Sequence, residues 1–140
     1  MTHDLLRGPK ASPYWRNDLT FYGCYGLGMS TNYDEYSYFF VEALSTAFAN
    51  RELELDLLVC EGAYCGAIGY LVGDFVGEFL GEQPSMSRTR LRFGLHWHID
   101  VENNEIIEGY GMFDLQHFFV QAGIDLYQRA RQFSSDNKEA

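Results

Sequence analysis

A chain of 140 residues fits one domain and is long enough to bury a core without disulfides or a structural metal. Ten basic residues against twenty acidic ones leave a formal charge of −10, which excludes the basic surface that nucleic acid or an anionic membrane demands. No apolar run is long enough to span a bilayer and no apolar segment near the start reads as a secretory signal, so the expected address is cytoplasmic.

Residues 1–14, with Gly8, Pro9 and Pro13, carry no periodicity and read as an N-terminal arm. A single domain is expected over residues 15–133. Tyr14 to Tyr25 is a short aromatic segment, and Gly23, Gly26 and Gly28 then form Gly-x-x-Gly-x-Gly. That order is not the dinucleotide fingerprint, so the run is read as a loop and no cofactor is expected. Asn32 is a capping residue for a helix over Tyr33–Ala49, where Tyr36, Phe39, Phe40, Ala43, Leu44, Ala47 and Phe48 make a wide apolar stripe. Alternation from Glu52 to Val59 predicts a strand, and Glu61-Gly62 a turn. Tyr64 to Leu80 reads as one long strand bent at its glycines, and Gly81 to Ser87 as a loop.

Arg88 to Val101 predicts a second long strand with Leu91, Phe93, Leu95, Trp97 and Ile99 on one face and Arg90, Arg92, Gly94, His96, His98 and Asp100 on the other. Asn103-Asn104 predicts a hairpin turn into a strand over Glu105–Phe113. A helix over Leu115–Arg131 follows, interrupted at Gly123, and residues 134–140 read as a flexible tail. Helices segregated from an antiparallel sheet give the α+β class. The three cysteines, Cys24, Cys60 and Cys65, lack any CxxC spacing and are expected as reduced thiols.

Three constellations carry possible chemistry. His96 and His98 project to one face of a strand, a common way to grip a metal, with Glu102 beyond them; Arg90 and Arg92 share that face and repel a cation, so no metal is expected. Asp114, His117 and Gln121 fall on one helix face, with Asp114 equally suited to capping. Glu108 and Tyr110 share a strand face.

Tyr70 to Gly81, the loop Gln83 to Arg88, the pattern of Trp97, Ile106, Glu108, Tyr110 and Asp114, and the closing Asp114-Leu115-Gln116-His117 with Gln121-Ala122-Gly123-Ile124-Asp125 together resemble the SnoaL-like polyketide cyclases of the nuclear transport factor 2-like superfamily. The Phe21-Tyr22-Gly23 to Gly28 run resembles a loop of a bacterial branch. The resemblance covers about residues 20–131. It implies a cone in which a curved antiparallel sheet wraps against helices around an apolar pocket, with a shortened N-terminal helical region here.

The implied activity is cofactor-independent cyclase, isomerase or lyase chemistry on a hydrophobic carbonyl substrate. A buried carboxylate with a raised pKa would act as the base. Carried over residue by residue, Asp114 is the base, His96, His98 and His117 are assisting donors, and Trp97, Tyr110, Phe75, Tyr22 and Phe40 line the substrate pocket. The sequence departs from the family at Phe75, where the family has a histidine. Too little chain precedes Tyr14 for the helices that close the family's cone, so a homodimer packed through the sheet is expected. The alternative is a non-catalytic module of the same fold that binds a small ligand or dimerises, and the surroundings of Asp114 separate the two.

Overall fold

An alternating strand buries one face only if neighbours continue its sheet, and here the alternating segments join in a single curled sheet. The computed structural model describes residues 14–24 and 26–139, so most of the expected N-terminal arm lies outside the described residues. The strands are β1 (Trp15–Gly23), β2 (Met29–Ser30), β3 (Phe48–Glu61), β4 (Tyr64–Phe75), β5 (Arg88–Asp100) and β6 (Glu105–Phe113), in the order β2-β1-β6-β5-β4-β3. Neighbours are antiparallel except β1 and β6, which run parallel. Between β2 and β3 lie α1 (Tyr33–Tyr36), a π-helical turn (Ser37–Glu42) and α2 (Ala43–Ala47); after β6 come α3 (Leu115–Gln121) and α4 (Leu126–Glu139). The α+β class and the curved sheet are those expected.

Asn32 caps α1 as its residue type predicts: its side chain accepts from the Glu35 amide at 2.9 Å. The Glu35 carboxylate returns to the Thr31 amide at 2.8 Å, a reciprocal arrangement that satisfies two otherwise orphaned donors. Tyr36, Phe40, Val41, Leu44 and Ala47 are buried along the stripe, but Phe39 is exposed. The π-helical turn explains the difference, because its wider winding carries Phe39 off the inner face. Asn50 lies in β3 at φ 49, left-handed backbone that asparagine tolerates, and not at the end of a helix as the sequence suggested.

β1 is the strand that the alternation does not announce. Only Trp15, Leu19 and Phe21 are buried along it, and the register with β6 slips between Trp15 and Thr20. The long strand expected to reach Leu80 ends at Phe75, where the Phe75 amide bonds Ser87 O and the chain turns away. Two glycines fix the curvature. A Cβ at Gly69 would lie 2.1 Å from Glu54 O, beside the register shift between Leu55 and Leu57, and one at Gly77 would lie 2.3 Å from Thr46 O. The final helix divides at Gly123 (φ +77), as predicted, but α4 runs on to Glu139 where a tail was expected. All of α4 whose burial is described is exposed, so no core packing argues for it in the sequence.

The cysteine reading is corrected for two of the three residues. Cys60 and Cys65 sit opposite each other on β3 and β4, with Cα atoms 4.1 Å apart, and form a disulfide. Their separation of five residues is hairpin spacing, which a search for CxxC does not catch. Cys24 is a free thiol.

The aromatic excess forms one packed interior. Phe118 of α3, fully buried, meets Phe48, Phe75 and Phe79 with ring centroids 5.2–6.1 Å apart. On the β1 side, the Phe21, Tyr36 and Phe40 ring centroids lie within 5.4 Å of one another, and Trp15 packs on Tyr36 at 4.5 Å. Gly109 and Gly111 of β6 admit the Phe21 ring, which a Cβ at Gly111 would meet at 2.7 Å. Phe93, Leu95 and Trp97 of β5 complete the layer.

Candidate functional site

The expected site residues divide between two faces of one sheet. Trp97, Phe75 and Phe40 point inward and are at most 2 % exposed, each within the aromatic core. Tyr22, Tyr110, His96 and His98 point outward. This follows from strand geometry, because Trp97 and its two histidine neighbours must occupy opposite faces of β5. Pocket walls and imidazoles that adjacent strand positions bring together in sequence are therefore kept apart in space.

Asp114 belongs to neither group. It is exposed, follows β6, and caps α3 by accepting from the His117 amide at 3.0 Å. Its own amide donates to Arg92 O at 2.9 Å, which sets Asp114 opposite Arg92. His96 lies further along β5 by roughly 13 Å at the usual strand rise. His117 is exposed on the first turn of α3, and its ring Nδ1 lies 3.4 Å from Gln121 Nε2. Gln121 has a structural task that the sequence did not suggest. Its side-chain amide bonds both the Arg90 amide, at 2.8 Å, and the Arg90 carbonyl, at 2.7 Å, and so ties α3 to β5.

Among the described residues, the core around Trp97 leaves little space. The void lined by Trp15, Phe21, Tyr36, Leu95, Trp97 and Gly109 measures about 10 Å³, the room of one water at most. Burial pushes the Tyr36 hydroxyl far above the usual phenol range, so it is a neutral donor. Trp97 Nε1 is buried with no hydrogen-bond partner among the described residues. An unmet buried donor of this kind costs about 1–3 kcal/mol.

The outer face is different. A groove of about 350 Å³ runs over Gly66 and Gly94, walled by Leu57, Val59 and Ile68 on one side and by His96, Tyr110 and Met112 on the other. Leu57 and Val59 are each 51 % exposed and Met112 70 %, an unusual concentration of apolar surface on one sheet face.

At one end the groove is closed by an aromatic ladder. Tyr22 stacks on Tyr110 at 4.8 Å, Tyr110 approaches His96 at 6.0 Å, and Tyr64 stacks on His98 at 4.6 Å and on His96 at 5.8 Å. Glu108 sits in the ladder, accepting from the Tyr110 hydroxyl at 2.6 Å, with its other oxygen 3.9 Å from His98 Nδ1. Its hydrogen bond pushes the Tyr110 hydroxyl up to about 12, so this tyrosine stays protonated.

At the opposite end charges alternate in rows. Arg88, Arg90 and Arg92 of β5 pair with Glu52, Glu54 and Asp56 of β3. The Arg90 and Arg92 guanidiniums sit over the Tyr70 ring at 4.1 and 4.7 Å. The arginines and histidines share one face, as strand alternation predicts; the apolar contribution of β3 has no such signal, because its outward side chains Leu57 and Val59 resemble core residues in composition.

No family model matches the chain, and no curated protein matches it. Solved structures do share its fold. A Shewanella putrefaciens protein assigned as a SnoaL-like polyketide cyclase superposes with a TM-score of 0.63 at 15 % identity, over 79 % of this chain and 80 % of that one. AclR from Streptomyces galilaeus gives 0.65 at 18 % identity, over 79 % and 78 %. A ketosteroid isomerase-like-fold protein from Catenulispora acidiphila, solved with trimethylamine, gives 0.63 at 12 % identity, over 80 % and 78 %. Among the described residues, no helix is long and apolar enough to cross a membrane.

Proposed function

We propose that this chain, which carries the fold of the SnoaL-like cyclases, acts as a dimerisation module that pairs through the outer face of its sheet. One observation carries the reading: among the described residues the core around Trp97 is packed with aromatic rings, while the outer face holds a 350 Å³ apolar groove. The face is also self-complementary in charge. A two-fold axis that brings its acidic β3 row over a partner's basic β5 row extends the ion pairs that each copy already makes. Because each copy carries −10, apolar contact must supply the attraction.

Light scattering on separated species and sedimentation equilibrium test the proposal. Ile68→Asp and Met112→Asp change outward side chains, so both should fold normally yet be monomeric at concentrations where the natural chain is a dimer. A natural chain that is monomeric throughout removes the reading.

A hydrophobic carbonyl ligand is the second reading, and Trp97 favours it. A carbonyl oxygen reaching the void would give the Trp97 N–H its missing acceptor, provided the rings around it part. An aromatic ketone should then shift the Trp97 indole N–H resonance. Acid/base chemistry by Asp114 gains no support from a side chain in solvent that caps a helix. Turnover of such a ketone that is lost in Asp114→Asn would restore the cyclase reading. The cytoplasmic address remains part of the proposal under one condition: disulfides persist in oxidising compartments, so a cytoplasmic chain would carry Cys60 and Cys65 as thiols.

A further inference from the structure

We propose that His96 is an acid-sensitive gate on the self-association face, uncharged in the dimer and protonated on release. The inference rests on the dimer reading above and adds its regulation. His96 is exposed at the middle of the outer face, where it forms part of the groove wall opposite Leu57, Val59 and Ile68. In a separated chain, water solvates its imidazolium. Once a second apolar groove covers the face, the charged form loses that water and is disfavoured.

What decides the matter is the lack of a compensating anion. On β6 the nearest carboxylate is Glu108, and both its oxygens are engaged: one accepts from Tyr110, and the other faces His98. Tyr110 itself approaches His96 as a neutral ring, and Tyr22 of β1 stacks behind it. On β4 the neighbours are Tyr64, again a ring stack, and Gly66, which has no side chain. β3 contributes the apolar Val59, with Glu61 two residues on, at the hairpin end opposite Tyr64. On β5 itself, His98 shares the face but has Glu108 beside it, while Arg92 lies beyond Gly94 and is paired to Asp56. Within one copy, among the described residues, no carboxylate is within ion-pair distance of His96, and the acidic row that the two-fold brings over β5 is taken up by Arg88, Arg90 and Arg92, so the proton has no partner to keep it in a covered face. His98 differs, since its protonation completes a pair with Glu108.

The two histidines thus have opposite consequences in acid, and the two-fold face contains two copies of His96. A proton taken up only by the separated chain raises the dimer dissociation constant as pH falls; both copies contribute, so the effect enters as a square, on the order of a thousand-fold between pH 7.5 and pH 5. General acidification acts the other way, because it reduces the repulsion between two strongly acidic chains. The sign of the effect is therefore diagnostic.

Sedimentation equilibrium of the full chain at pH 7.5 and pH 5, with far-UV circular dichroism confirming the fold at both, tests the gate. The expected result is a dimer at pH 7.5 whose dissociation constant rises by two to three orders of magnitude at pH 5. In His96→Gln the rise should disappear, and in His98→Gln it should persist. A natural chain dimeric with equal affinity at both pH values overturns the gate and leaves the dimer standing, as does an acid-induced loss that His96→Gln retains. A natural chain monomeric at pH 7.5 overturns the dimer reading and the gate with it.

Discussion

Phe75 separates a pocket from a core. The family resemblance makes it a substrate-contacting residue, whereas the structure buries it completely between Phe48 at 5.4 Å and Phe118 at 5.2 Å. In a ligand cavity Phe75→Ala merely enlarges an existing space. In a filled interior it removes a whole ring from a site whose neighbours are strands β3 and β4 and helix α3, none of which can close in freely. Large-to-small substitutions of this kind cost about 3–5 kcal/mol, from lost transfer energy and the residual cavity together. A domain of this size holds on the order of 5–15 kcal/mol, so the loss is a large fraction of the whole. With a urea slope of about 2 kcal/mol per molar, a 4 kcal/mol loss moves the unfolding midpoint down by about 2 M. Phe75→Leu, closer in volume, should cost less than about 1.5 kcal/mol. The assay is urea unfolding followed by circular dichroism at one fixed protein concentration, because the proposed self-association would itself contribute stability. A Phe75→Ala midpoint within about 0.3 M of the natural chain, corresponding to less than ~1 kcal/mol on the same slope, would refute the filled interior.

Gly69→Ala forces a Cβ to within 2.1 Å of the Glu54 carbonyl, so the strand bulge must open; thermal unfolding should fall sharply, whereas Gly94→Ala, with nothing within 4 Å of its Cβ, should leave the melting temperature nearly unchanged. Asp114→Ala should cost about 0.5–2 kcal/mol through the lost cap and Asp114→Asn very little, since asparagine caps as well as aspartate; equal losses in both would show that Asp114 does more than accept from the His117 amide. Hydrogen bonds hold four carboxyls below their usual range: Asp18 by Arg16, Glu35 by the Thr31 amide and hydroxyl, Asp74 by Asn50 and Arg88, Asp100 by Asn103. A depressed folded-state pKa contributes stability above the unfolded value, near 4, that is lost as pH falls through the lower folded value. Stability should thus decline below about pH 4, and Glu35→Gln should flatten that acid limb in pH-dependent urea titrations.

Much of the fold was legible because strand periodicity is local. The split of β5 into Leu91, Phe93, Leu95 and Trp97 against Arg90, Arg92, His96 and His98 follows from two-residue alternation alone, and the structure keeps it. The Asn32 cap and the left-handed Asn104 at the hairpin turn are likewise properties of single residue types. β1 was not legible, since its place beside β6 depends on a parallel pairing some ninety residues distant along the chain, at Phe21 with Gly109. Phe39 was misplaced because a π-helical turn changes helix phase without a sequence signature. The candidate site was the least legible part. Aromatic residues that pave a pocket and those that fill a core have the same composition. Only their packing, Phe118 against three other rings for example, distinguishes the two. The outer groove depends on Leu57 and Val59 facing away from the core, an orientation set by the register shift between Leu55 and Leu57.

The proposed dimer makes the outside of the sheet the working surface. Light scattering on the chromatographically separated natural chain at pH 7.5 tests it most directly. The expected mass is twice the 16.1 kDa of the chain, reduced to that of a single chain by Met112→Asp. A single-chain mass for the natural protein at every concentration up to the millimolar range would contradict it, and would turn attention back to Trp97 and the interior.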